Sequence, residues 1–498
     1  MGALMLVLLL AALDQTIVST ALPQIATKLG GLDHLSWVAT AYLLTSAITT
    51  PIYGKISDLF GRKKIFQIAI IIFLVGSICA GLAQSMNQLI LARGLQGLGA
   101  GGLMSLVLAI VGDIVPPRQR GQYAGYFGAV FGLSSVIGPL LGGFLTEQWS
   151  WRWVFFINIP LGIIALAAVA SRLHLPVHRR EHKIDYVGAG LLSAGSVSLL
   201  LATVWGGSMY AWNSPEIIGL LVGGVLLGVT FVLWERKAPE PIIPMKLFRN
   251  DIFTVSTILS LLAGIAMFAS ILYIPMYQQI VRGNSPTESG LLMIPLVAGI
   301  FTTSITSGKL ITKFGKYKLF PIIGTLTLAL GLWMFSHVQI DTAEWLLGTW
   351  MFVIGAGLGC FMQVMTLAIQ NSVDRRDLGT ATSSATFFRS LGSAFGGAIF
   401  GSILNNRLTH HFHDLIPSNV AGGLGSIDIS SVQNGSALHT MSPEVSRLVL
   451  EAFVRSFQDM FLIAIPIALL AFVVALFLRE TPLKSGHDDP NEDMLPVE

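Results

Sequence analysis

Asp14 and Arg93 each interrupt a long apolar run, where an ionised side chain is expensive. Counted from the ends of their runs, both sit roughly 9–14 Å deep at 1.5 Å per residue, so they can share one layer. One reading is a structural ion pair, or an arginine satisfied by backbone carbonyls. The other is proton chemistry. Burial and a neighbouring guanidinium act in opposite senses on a carboxyl's proton affinity, so a change in their separation loads and releases a proton. We favour the second reading. Arg389 also lies inside an apolar run, with no acid in the helices around it; snorkelling, carbonyl contacts and substrate contact are all open to it.

Other constellations are less specific. Gly54, Asp58, Gly61, Arg62 and Lys63 fall in GKISDLFGRKK, read as a short turn between helices. A basic anchor accounts for Arg62 and Lys63. It does not account for Asp58, for which Arg118 or Arg120 is the expected partner, or for glycines that permit a tight turn. Gly128, Gly132, Gly138, Gly142 and Gly143, with Pro139, give one helix a small-residue face and a kink, which favours close packing in lipid. GLGAGG, Gly97 to Gly102, fits a dinucleotide pattern but follows no strand, so helix packing is expected instead. His410, His411, His413 and Asp414 are clustered, yet adjacent histidines converge poorly on one ion. A solvated external loop without metal is expected there.

These residues need elements to hold them, and the composition says which. The 498 residues are 53% hydrophobic and only 11% charged, against about a quarter charged in a soluble domain. Lipid is the solvent that tolerates this. Apolar runs of roughly 20 residues fall near 3–25, 36–55, 65–84, 87–112, 122–146, 152–171, 185–207, 215–235, 252–281, 287–308, 319–338, 344–370, 380–404 and 455–478. The first begins almost at Met1 without a basic segment before it, so it is read as a retained helix, with an upstream start left open. Cys79 and Cys360 both lie in apolar runs and suggest no disulfide.

Fourteen spans with both termini cytoplasmic place 22 of the 30 Lys and Arg on the cytoplasmic side; one helix more or fewer scrambles that sorting. The net charge of +3 points to no nucleic-acid partner. An internal repeat then divides the fourteen. GKISDLFGRKK, Gly54 to Lys64, recurs as GKLITKFGKYK, Gly308 to Lys318, at an offset of 254. Gly121, Gly138 and Gly143 recur as Gly379, Gly396 and Gly401, at an offset of 258. Helices 1–6 therefore match helices 9–14, with helices 7 and 8 inserted. The expected domains are 1–171, an inserted segment 172–250, a second bundle 251–484 with a long external loop 405–454, and a disordered acidic tail 485–498. Ser442 to Phe457 reads as an amphipathic helix on the outer leaflet. Two matched bundles about a pseudo-two-fold axis suit alternating access.

Several of these stretches together resemble the fourteen-helix drug:proton antiporters of the major facilitator superfamily. Gly54 to Lys64 looks like its loop signature, with Ile56 as a mild departure. LARGLQGLGAG from Leu91 is similar to the helix-4 motif with an intramembrane arginine. GLSSVIGPLLGG from Gly132 resembles the helix-5 motif of antiporters. LDQTIVSTALP from Leu13 and WRWVFFINIPLG from Trp151 resemble signatures of the fourteen-helix group. The resemblance spans nearly the whole chain. It implies an all-α polytopic membrane fold of two six-helix bundles plus two inserted helices. It implies proton coupling at Asp14 and Arg93, a cytoplasmic clasp between the bundles at the Gly54–Lys63 loop, and a sealing face at Gly132, Gly138, Pro139, Gly142 and Gly143. Gln15, Tyr42, Gln96, Tyr126, Met362 and Gln363 fall on helices that line the superfamily's cavity, though each equally suits an interhelical hydrogen bond or core packing.

The expected function is proton-coupled export of lipophilic drugs or metabolites, cations among them, from a monomer in the cell membrane. No cofactor is expected beyond the coupling proton. Export of lipids or siderophores is the nearest alternative, and a receptor the more distant one. No paired His/Glu or Ser/His arrangement suggests an enzyme.

Overall fold

The computed structural model describes residues 1–29, 35–173, 184–207, 209–374, 377–415 and 443–483. Its α-helices are α1 Gly2–Leu29, α2 Leu35–Phe60, α3 Arg62–Leu82, α4 Met86–Ile114, α5 Pro117–Gln148, α6 Trp153–Phe156, α7 Asn158–Arg172, α8 Tyr186–Trp205 and α9 Pro215–Glu235. The remainder are α10 Asp251–Ile280, α11 Pro286–Leu292, α12 Ile294–Phe314, α13 Leu319–Phe335, α14 Glu344–Ser372, α15 Leu378–Leu415 and α16 Pro443–Leu476. α6 with α7, and α11 with α12, are single spans broken by one residue, which leaves fourteen. A chain that crosses lipid must satisfy its backbone internally, which each helix does within its own span.

The hydrophobic side chains sort into separate cores. Phe66, Phe73, Leu103 and Val107 belong to one packed from α1–α7. Tyr277, Phe335, Phe361 and Phe461 belong to another packed from α10–α16. The pair α8 and α9 packs together and leans on α2 and α15, joined to α15 where Leu192 and Phe231 meet Phe387. The six–two–six order of the repeat is thus the order of packing. Within the first half, GLGAGG serves helix packing: a Cβ at Gly97 or Gly101 would strike the α2 backbone at Tyr42 or Ser46.

α15 and α16 depart from expectation. The thirteenth helix runs eleven residues past its expected end, to Leu415. Its polar extension holds through i,i+4 contacts, Thr409 Oγ1 to the Asn405 carbonyl at 3.0 Å and His410 to Asp414 at 2.9 Å. The expected loop 405–454 is helical at both ends, and 416–442 lies outside the described residues. From Pro443 the outer-leaflet helix is no separate element but the start of α16. Val449, Ala452 and Phe453 are buried in the second core rather than turned to lipid, because the α15 extension stands beside them. The tail 485–498 lies outside the described residues.

Candidate functional site

Asp14 lies about 18 Å along α1 and is fully enclosed. Its Oδ2 accepts from Arg93 Nη1 at 2.7 Å, and its Oδ1 from Gln96 Nε2 at 2.7 Å and Asn158 Nδ2 at 2.8 Å. Arg93 is as tightly held. It also donates to Gln96 Oε1 at 2.6 Å and to the Val38 carbonyl at 3.2 Å, and its guanidinium lies 4.2 Å from the Tyr42 ring centroid. Ser77 Oγ accepts from both amides, at 2.6 Å from Gln96 and 3.1 Å from Asn158. One polar cluster therefore joins α1, α3, α4 and α7, with every side chain buried. A buried carboxylate persists when it is paired and fully hydrogen bonded. Asn158 Oδ1 is left over, as is the Tyr42 hydroxyl, each buried without a hydrogen-bond partner.

Ser77 and Asn158 were not among the expected site residues. Asn158 had a signal, being a lone amide in WRWVFFINIPLG. The break at Ile157 between α6 and α7 sets it at the first turn of α7.

The Gly54–Lys63 motif is not a loop. α2 runs through it to Phe60, α3 starts at Arg62, and Gly61 alone turns the chain, at φ 94. Asp58 thus projects from the last turn of a helix. Its Oδ2 accepts from Thr380 N at 2.8 Å and Thr380 Oγ1 at 3.0 Å, which caps the N-terminus of α15 in the other half. Arg62 bridges Asp58 at 3.0 Å and Asp113 at 2.7 Å. The side chains of Arg118 and Arg120 lie outside the described residues; Asp58 finds its partners at Arg62 and Thr380. Lys63 Nζ donates to the Ala170 carbonyl at 2.7 Å, tying α3 to α7. Gly54 is needed for close approach rather than for a turn, because a Cβ would run into Ser383 and the Gly379 carbonyl of α15. The two halves are shut against each other at this basic face.

Of the α5 glycines, Gly138 is pressed on Thr16 of α1. The Gly142 carbonyl accepts from Thr146 Oγ1 at 2.7 Å, and a Cβ at Gly143 would meet nothing within 4 Å. This face therefore packs within the first half at Gly138 and is open at Gly143. The side chains at Gly132 and Pro139 are outside the described set. The expected cavity residues are only partly brought together, Gln15 lying against Tyr42. Tyr42 and Gln96 are enclosed in the Asp14 cluster, and Met362 packs on the second core. Gln15 is exposed, as is Tyr126 at 39%, and the Gln363 side chain is undescribed. None of the described ones lines the recess of ≈ 2090 Å³ that opens among α2, α4, α8, α9 and α15 at the basic face. His411 Nε2 lies 3.0 Å from Asp459 of α16, and the His413 side chain is undescribed. His410, His411 and Asp414 bring their ligand atoms within 4.8 Å of one another.

The Major Facilitator Superfamily model matches residues 4–397. Multidrug resistance protein 3 of Bacillus subtilis (strain 168) is 36% identical over 489 residues, covering 97% of this chain and 95% of that one. Multidrug transporter protein MdtP of the same organism is 41% identical over 404 residues, covering 81% and 74%. Among solved structures, the proton:xylose symporter XylE superposes with a TM-score of 0.61 over 97% of this chain and 96% of that one. At 16% identity that likeness speaks for the fold alone. With the family model, the relatives and the six–two–six helix order in agreement, the chain belongs to the Major Facilitator Superfamily.

Proposed function

We propose that the protein is a proton-coupled antiporter that exports lipophilic small molecules across a cell membrane by alternating access, with both termini cytoplasmic. One chain carries both halves, so a monomer suffices, and the coupling proton is the sole cofactor. The names of its relatives support export of drugs. The observation that carries proton coupling is the Asp14 cluster. When Asp14 is ionised, Arg93, Gln96 and Asn158 satisfy it with donors at 2.7–2.8 Å. When it is protonated, its O–H needs an acceptor, and Asn158 Oδ1, on a residue already bonded to that carboxyl, is left unused. Turning over the Asn158 amide sets that oxygen against both Asp14 and Ser77. The site can therefore satisfy the carboxyl's hydrogen bonds in either state, while protonation leaves Arg93 without its counter-charge.

The test is efflux of the neutral dye Nile red from loaded cells, with and without a protonophore. Asp14→Asn is expected to express normally and to lose proton-driven efflux. Wild-type rates in that variant, or efflux indifferent to the protonophore, would sink the reading.

A further inference from the structure

Arg389 lies about 16 Å along α15 from its end at the basic face. The helix presents its small residues to α10 here. A Cβ at Gly264 would strike the Arg389 backbone, and one at Gly392 the Leu261 backbone. The Arg389 carbonyl accepts from Ser393 Oγ at 3.1 Å. Its guanidinium makes no hydrogen bond, ion pair or ring contact with any described residue, and the side chain is half-buried.

The contrast with Arg93 is informative. Arg93 is 2% exposed and cancelled by Asp14, which is itself 0% exposed. Neither charge of that pair is open to a ligand. In the second half the described carboxylates lie toward the helix ends. Asp251, Asp374, Asp377 and Glu480 are at the basic face, and Glu288, Asp341, Glu344, Asp414, Glu444, Glu451 and Asp459 toward the opposite face. No described carboxylate in the middle of the second bundle cancels Arg389. A cation at such a level is costly unless it is paired, and a guanidinium offers a planar fork suited to an oxyanion.

Building on the export reading, we propose that Arg389 receives the anionic group of the transported molecule, and that the preferred cargo is a lipophilic carboxylate. The expectation of cationic cargo gives way, because the one carboxylate deep in the first half is enclosed and already neutralised.

The test uses purified full-length protein in liposomes under an imposed proton gradient, with two dyes of one ring scaffold and opposite charge. These are fluorescein, an anion, and rhodamine 6G, a cation. Wild-type protein is expected to move fluorescein faster. Arg389→Gln should lower that rate roughly tenfold or more, the scale of a lost charge-assisted pair, and spare rhodamine 6G. Arg389→Lys, which keeps the charge, should retain part of it. Preference for rhodamine 6G in the wild type, or equal loss of both dyes in a monodisperse Arg389→Gln, overturns the proposal. If the wild type moves neither dye, the export reading fails instead. Fluorescein binding by fluorescence polarisation then decides separately: binding that Arg389→Gln weakens supports the anion site, and absent or unaltered binding refutes it.

Discussion

Asp14 illustrates how far single residues can be read from sequence. A carboxylate and a guanidinium in apolar runs are conspicuous because each is costly in lipid, and helix rise puts them in one layer. Ser77 carries no such signal, and Asn158 only the weaker one of a lone amide. Hydroxyls and amides in membrane helices usually bond to their own backbone or to a neighbouring helix, so only coordinates reveal that they complete the shell of Asp14. That shell gives Asn158 a specific expectation. Asn158→Leu removes one donor to ionised Asp14 and the spare acceptor for its protonated form. Export should fall about tenfold, by loss of a hydrogen bond to a charged group, and its dependence on pH should shift. Asn158→Gln should recover part of the rate. Initial efflux rates across a pH series check this, and a uniform fall without any shift in the profile would mark Asn158 as merely structural.

At the scale of elements, the repeat seen in the residues is a repeat of helix endings. α2 stops at Phe60 and α12 at Phe314, each followed by a glycine with positive φ, Gly61 at 94° and Gly315 at 70°. A side chain in left-handed backbone costs roughly 1–2 kcal/mol. Gly61 is extended as well as positive, with ψ 127, whereas Gly315 sits in the ordinary left-handed well at ψ 6. Gly61→Ala should therefore destabilise more than Gly315→Ala. Thermal unfolding in detergent should rank them so, and the reverse order would mean that packing rather than backbone conformation governs these turns. Span number and order were legible because hydropathy and charge sorting are properties of whole segments. The ends of α15 and α16 were not. Hydropathy marks where lipid stops, but a helix continues past that point while its side chains pair along it, as His410 and Asp414 do.

For the whole molecule, the halves pack along α5 with α12 and α2 with α15, and at the basic face polar contacts also cross between them. Asp58 caps α15, Gln370 Nε2 donates to the Leu108 carbonyl at 3.1 Å, and Lys55 pairs with Glu240 in the segment after α9 at 2.7 Å. Glu235 anchors that segment by accepting from the Ile242 and Ile243 amides, each at 3.2 Å, so the inserted pair is tied to the same closure. An interface meant to open cannot be a continuous apolar core, since packed cores do not part reversibly at low cost. Asp58 supplies two hydrogen bonds across it, and losing a charged acceptor costs about 2 kcal/mol, enough to change a two-state ratio by roughly 5–30-fold. Asp58→Ala should then shift the population toward a state open at the basic face. Spin labels at the exposed Lys64 and Lys316, one in each half, should report a longer distance in Asp58→Ala by double electron–electron resonance. An unchanged distribution would place the hold elsewhere, at the Gly54–Ser383 approach, where Gly54→Val becomes the variant that forces the halves apart.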